Sequence, residues 1–186
     1  MFALQNSFSE TILHSRATLK DKVTKRIIRQ ADEGDVATLA QIRNDALAYK
    51  LSRGDFAWGR KEWTEAVARQ TLERGGMHVI EQDNIPAAIM SLSWEDDKRW
   101  GSQELGAGYV HGLSVRNGFH GLGLGSHALN WCADHVRANS RHYVRLDCDM
   151  RNAALCAYYE NLGFICVGTR QLFADYFASF YERPVR

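Results

Sequence analysis

Long hydrophobic runs are missing from this 186-residue chain. None approaches the length of a bilayer crossing, and nothing near Met1 resembles a charged, apolar, cleavable signal, so the expected protein is soluble, cytoplasmic and free of the membrane. An excess of one charge is missing too, because 23 basic and 22 acidic residues leave a net +1. That argues against a dedicated nucleic-acid partner, although Arg137, Arg141, Arg145 and Arg151 could still form a local basic patch. Cysteine is sparse. Cys132, Cys148, Cys156 and Cys166 form no C-x-x-C pair and have no histidines at zinc spacing, so no structural metal is expected. Their apolar neighbours predict four buried, reduced thiols acting as small hydrophobes. Repeats and low-complexity linkers are also absent, and 45% apolar with 24% charged residues is ordinary for one folded domain.

What is present is an alternation of two periods. Residues 1–24 are polar with weak periodicity, and are expected to form a loosely ordered N-terminal extension to a single domain over 25–186. Residues 25–30 read as a strand. Asp35 then stands as an N-cap before helical spacing at Val36, Leu39, Ala40, Ile42, Ala46 and Leu47. A second helix is expected over 61–74, with Trp63, Val67 and Leu72 near one face and Gly75-Gly76 closing it. Segments 77–81 and 85–94 read as a hairpin about Gln82-Asp83-Asn84. A charged loop at 95–99 precedes a strand over 109–115; its acidic run Glu95-Asp96-Asp97 could favour a cationic substrate, but is simplest as a solvated hairpin end. A glycine-rich turn follows, then a helix (125–139), a strand (143–148), a helix (153–162) and strands at 164–168 and 177–183. The order β-α-α-β-β-β-α-β-α-β-β predicts a mixed α/β (α+β) domain with helices on a twisted sheet.

The most informative stretch is Val115-Arg116-Asn117-Gly118-Phe119-His120-Gly121-Leu122-Gly123-Leu124-Gly125-Ser126. A strand ends, glycines free the backbone, and a helix begins with unpaired amides at its positive end. Such a turn can hold a phosphate or pyrophosphate, or can be only a tight turn. No lysine follows the glycines, which excludes a Walker loop. Ser126 and Ala128 stand where a dinucleotide fingerprint needs its third glycine.

These residues resemble a family. His120-Gly121-Leu122-Gly123-Leu124-Gly125 is similar to the [Q/R]-x-x-G-x-[G/A] loop of the GNAT superfamily of acyl-CoA-dependent N-acyltransferases, and 109–115 resembles the strand before it. Arg145-Leu146-Asp147-Cys148-Asp149 and the segment from Asn152 to Phe164 resemble the second signature, N-x-x-A/L…Y-x-x-x-G-F, in the right order and at the right separation. His120 replaces the family's arginine or glutamine, which leaves the backbone cradle intact.

The resemblance implies the GNAT fold, acetyl-CoA as co-substrate and an amine acceptor. It places the loop His120, Gly121, Leu122, Gly123, Leu124, Gly125 and Ser126 on the coenzyme A pyrophosphate, through the amides of the glycines and Ser126. It sets the strand Leu113, Ser114 and Val115 along the pantetheine arm, an amide near Leu113 on the thioester carbonyl, and Asn152 on the pantetheine. Asn152 also reads as a plain N-cap. Tyr159, four residues before Gly163, becomes the acid that protonates the departing thiolate, or else a core aromatic on an amphipathic helix, as Tyr158 beside it is expected to be. His111 becomes a candidate base near the acceptor, or a satisfied strand histidine. His120, His127 and His135 fit a loop tip and a solvated helix face, with His127 and Trp131 as i, i+4 neighbours. The loop Asp55-Phe56-Ala57-Trp58-Gly59 could close over an amine. The acceptor itself stays open: a small amine, a protein amino terminus or an aminoacylated tRNA. A non-catalytic acyl-CoA sensor is a further alternative, and a homodimer is neither required nor excluded.

Overall fold

The computed structural model describes residues 24–101, 106–173 and 175–185. The expected N-terminal extension lies, but for Thr24, outside the described residues. Eleven elements follow one another among those residues: β1 (Arg26–Gln30), α1 (Val36–Ser52), α2 (Glu65–Glu73), β2 (Met77–Gln82), β3 (Ile85–Ser93), β4 (Ala107–Val115), α3 (Leu124–Ala138), β5 (Tyr143–Asp149), α4 (Ala153–Asn161), β6 (Ile165–Phe173) and β7 (Tyr176–Pro184). A single helical turn, Asp97–Trp100, stands where a charged loop is expected from the sequence. The strands form one sheet in the order β1-β2-β3-β4-β5-β7-β6, with β4 and β5 the parallel neighbours and every other pair antiparallel. This is the mixed α/β architecture that the element order predicts.

Alternation along the strands sends side chains to two cores. Ile80, Ala88 and Met90 pack with Leu124, Leu129, Val136 and Tyr159 of α3 and α4. Their neighbours Val79 and Ile89 point the other way, onto Leu39, Ile42 and Ala68 of α1 and α2. The sheet is therefore covered on both faces. The β2–β3 turn places Asp83 and Asn84 at φ +52° and +64°, as a two-residue hairpin demands.

Several boundaries differ from the sequence reading for local reasons. Asp35 does not cap α1 with its side chain. Asp32 accepts from Gly34 N, while the Asp35 carboxylate accepts from Asp32 N and from Arg29 at 2.7 and 2.8 Å. Helix α2 starts at Glu65 because Thr64 caps it, and Trp63 precedes it, bonded through its backbone to the side chain of Asn44. Strand β6 runs past Gly168 to Phe173, since the glycine follows a bulge at Val167 rather than ending the strand. Cys132 and Cys148 are buried as expected, but Cys156 is half-buried and Cys166 is exposed. The sulfurs of Cys148 and Cys156, eight residues apart in sequence, lie 3.7 Å apart as free thiols.

Candidate active site

A split in the sheet makes the site. Strands β4 and β5 pair only from Ala107 to Tyr109 with Tyr143 to Arg145. Beyond that point no further pairing joins them among the described residues, so β4 presents an open edge from Val110 to Val115. On its other side β4 carries a bulge: Ser91 pairs with His111 and Ile89 with Ser114, leaving Gly112 and Leu113 opposite Met90. The bulge re-aims His111 and Leu113 toward the split. Ser114, by contrast, is buried and donates to the Gly112 carbonyl.

The glycine loop closes one end of that split. Gly123 is the N-cap of α3 in a left-handed conformation, φ +73°, and no side chain caps the helix. Its first-turn amides therefore face outward without a built-in acceptor, and no acidic residue occupies that turn. Arg26 adds a positive charge: its Nη2 donates to Leu122 O at 2.6 Å, and its Nη1 lies beside Gly123. The loop lines a cavity of about 540 Å³ with Leu113, Val115, Asn152 and Tyr159. His120, Gly121, Gly123, Leu124, Gly125 and Ser126 all reach this cavity, whereas Ser114 and Leu122 do not. Leu124 is 2% exposed, so its side chain belongs to the core. An uncapped helix start with an adjacent guanidinium suits a pyrophosphate.

Several neighbours of the loop escaped the sequence reading. His120 stacks on Tyr49 at 4.1 Å between centroids, and the Arg53 guanidinium lies over the other ring at 4.7 Å. Tyr158 is not a core aromatic. It is 37% exposed, and a Cβ added to Gly125 would meet its hydroxyl at 2.5 Å. Tyr159 is the buried one, against Phe164 and Tyr181, and burial pushes its hydroxyl well above the usual phenol range. Asn152 both caps α4, accepting from Leu155 N, and donates to Asp55 Oδ2 at 2.7 Å. Asp55 also pairs with Lys50, which ties the 55–59 loop to the start of α4.

A second cavity, about 160 Å³, opens on the other side of Tyr159 and is lined by His111, Asp147, Arg99, Tyr176 and Trp58. Trp58 is held there by the Arg43 guanidinium, 3.2 Å above its ring. Tyr176 donates to Asp147 at 2.6 Å. The acidic run at 95–97 is not simply a solvated end: Asp96 turns inward, its side chain 7% exposed, with Oδ2 at 3.3 Å from His111 Nε2. Arg99 is ion-paired to Asp96 at 3.7 Å and to Asp147 at 3.5 Å. Burial lowers the His111 pKa, and Arg99 pushes the same way; Asp96 and Asp147 oppose it. Asp96, His111 and Asp147 are compact enough to hold a cation, and Arg99 already supplies positive charge to them.

Other expectations fall away from the site. Trp131 stacks on His135 at 4.7 Å and meets His78 at a tilt, 4.9 Å away, and Trp94 stacks on His135 as well, so His135 is not on a solvated face. Arg137, Arg145 and Arg151 are ion-paired, and Arg141 donates to two backbone carbonyls, so the four do not make a free basic patch. No helix among the described residues is long and apolar enough to cross a membrane.

The model of the acetyltransferase (GNAT) family matches residues 39–164, which span the open edge, the glycine loop and Tyr159. The chain belongs to this family. It is an acyltransferase, and its likeness to known proteins agrees. Over 123 residues this acetyltransferase is 28% identical to the uncharacterized N-acetyltransferase YesJ of Bacillus subtilis (strain 168), covering 59% of this chain and 68% of that protein. Its fold is similar to a GNAT acetyltransferase from Listeria monocytogenes, with a TM-score of 0.71 and 20% identity over 86% of this chain and 94% of that one. It is also similar to yncA from Salmonella typhimurium, solved with its cofactor acetyl-CoA, with a TM-score of 0.62 and 19% identity over 87% and 94% of the two chains.

Proposed function

We propose that this acetyltransferase moves an acetyl group from acetyl-CoA to a primary amine by direct attack in a ternary complex. The observation that carries the reading is that the two cavities share a wall, made by Trp58, Leu113 and Tyr159. A long ligand entering from the glycine loop meets a small polar ligand only there.

Each residue then has a task. Amides of Gly121, Gly123, Gly125 and Ser126 receive the pyrophosphate, with Arg26 beside them. The open edge of β4 at Leu113 and Val115 takes the pantetheine arm as an added strand, and Asn152 borders the same arm. An amide near Leu113 stabilises the oxyanion that forms as the amine attacks. The carbon–sulfur bond breaks, and Tyr159 gives its proton to the leaving thiolate. His111, neutral because it is buried, takes the proton that the amine loses. The small size of the second cavity, room for about five waters, fits the reactive end of an acceptor.

Thermal unfolding with acetyl-CoA tests the first half. A ligand at a hundred times its Kd adds about 2.7 kcal/mol, so the melting temperature should rise by roughly 5–10 °C. No rise at millimolar acetyl-CoA overturns the proposal. Mass spectrometry of a lysate treated with enzyme and labelled acetyl-CoA tests the second half, and acetylated amines are the expected products.

A further inference from the structure

We propose that Asp96 is a positioning residue for the transfer: it holds His111 with Nε2–H toward its carboxylate, so that Nδ1 carries the lone pair offered to the acceptor. The inference rests on the reading of His111 as the base and specifies which nitrogen acts and what fixes it.

Geometry carries it. Asp96 Oδ2 is buried and, among the described residues, has no hydrogen-bond partner. A buried carboxylate oxygen left unpaired is costly, so a donor must be able to reach it. The candidate donor is His111 Nε2 at 3.3 Å, and the Asp96 side chain is only 7% exposed. That separation is within hydrogen-bond reach but the pair is not aligned as a formed bond; donors in ligand-free active sites are commonly poorly aligned before substrates tighten them. The carboxylate comes from the segment after β3 and the imidazole from the bulged part of β4, two elements that the register holds side by side. Only one tautomer puts a proton between Nε2 and Oδ2, and it leaves Nδ1 as the acceptor.

The other charged and titratable groups at this cavity do not supply that bond. Arg99 is a donor only and pairs with both carboxylates. Asp147, from β5, already accepts from Tyr176 of β7. Tyr159, from α4, forms the wall shared with the cofactor cavity. When His111 takes the acceptor's proton, the imidazolium forms beside Asp96, whose negative charge stabilises it. Asp96 thus opposes the burial that would otherwise leave His111 too weak a base.

Nitrogen-15 NMR of the labelled full chain reads this without an acceptor. In the wild type above its pKa, His111 should show the Nε2–H tautomer. Asp96→Asn should lower the His111 pKa by about 1 pH unit and mix the tautomers, because a neutral amide removes the charge. Asp96→Glu should restore both in part, and Asp97→Asn, at an exposed neighbour, should change neither. A wild-type Nδ1–H tautomer, or an unmoved pKa in a folded Asp96→Asn chain, overturns the inference. Should that variant not fold, the wild-type tautomer alone decides. The underlying reading fails separately: His111→Gln with an unaltered pH–rate profile would remove the base and, with it, any catalytic part for Asp96.

Discussion

Tyr158 and Tyr159 are adjacent in sequence and opposite in situation, one facing the glycine loop and the other buried against Phe164 and Tyr181. Replacing Tyr159 by Phe keeps the packing and deletes the proton. Positioned acid catalysis is worth about 10²–10⁴ in rate, so kcat should fall within that range while acetyl-CoA affinity and melting temperature hold. Wild-type turnover in Tyr159→Phe would leave the tyrosine a packing residue. His111 makes a matching prediction in pH. Burial sets its pKa below the ordinary value, and a protonated imidazole cannot accept. So kcat/KM should fall as pH drops through a value below about 6.5, and His111→Gln should flatten that limb. The family resemblance singles out Tyr159, four residues before Gly163, and His111, two before Leu113, and both line the second cavity. Asp96, Asp147, Arg26 and Tyr49 were not legible, since each meets its partner across 15 to 96 residues of chain, which local patterns do not encode. The charge run at 95–97 points Asp96 to solvent, because such a run hides the one member that turns inward.

Elements were more readable than their partners. Periodicity announced each long helix and strand, and boundary errors arose where capping side chains took other roles or passed unmarked. Asp35 joins Arg29 instead of capping α1, and Thr64, unnoticed, starts α2. The open edge of β4 could not be read at all, because pairing is a relation between strands. Two glycines separate what an element does for the site from what it does for the fold. A Cβ on Gly108 of β4 would press on Val136 Cγ2 at 2.5 Å and Leu92 Cδ1 at 3.1 Å, both within the core. Gly108→Ala should destabilise by about 1–3 kcal/mol and leave cofactor affinity unchanged in the folded protein. A Cβ on Gly125 of α3 presses on the hydroxyl end of partly exposed Tyr158, which can swing aside, and meets Leu113 Cδ2 at an ordinary 3.8 Å. Gly125→Ala should therefore barely move the melting temperature yet weaken acetyl-CoA binding, since the added methyl projects into the cofactor cavity. Denaturation and calorimetry on both variants check the crossing pattern; equal stability losses would sink it.

For the whole molecule, net charge near zero conceals a set of carboxylates that pin its segments together. Asp35 joins β1 to the start of α1 through Arg29, and that hydrogen bond holds its pKa below the usual carboxylate range. Asp149, at the end of β5, is lowered in the same way by Arg151. Asp55 is lowered although burial pushes it up, because Lys50, Ala57 N and Asn152 together outweigh that penalty. All three bind protons less readily folded than unfolded. Their stabilisation is therefore complete above the unfolded value, about 3.9, and is lost as pH falls through the lower folded values. His78 and His111 act in a higher window. Burial depresses both, so the unfolded chain gains protons first and stability begins to decline below about 6.5. Urea midpoints across pH should show two descents, a shallow one below 6.5 and a steeper one below 4. Asp35→Asn isolates one contributor. At pH 7 it weakens a charged but part-buried bond, with the Arg29 side chain 35% exposed, and should cost about 1–2 kcal/mol. As the wild-type Asp35 protonates in acid, that advantage disappears, and the two stability curves should converge toward pH 2–3. A gap that stays constant down to that pH would mean the Arg29–Asp35 pair stabilises by its shape and not by its charge.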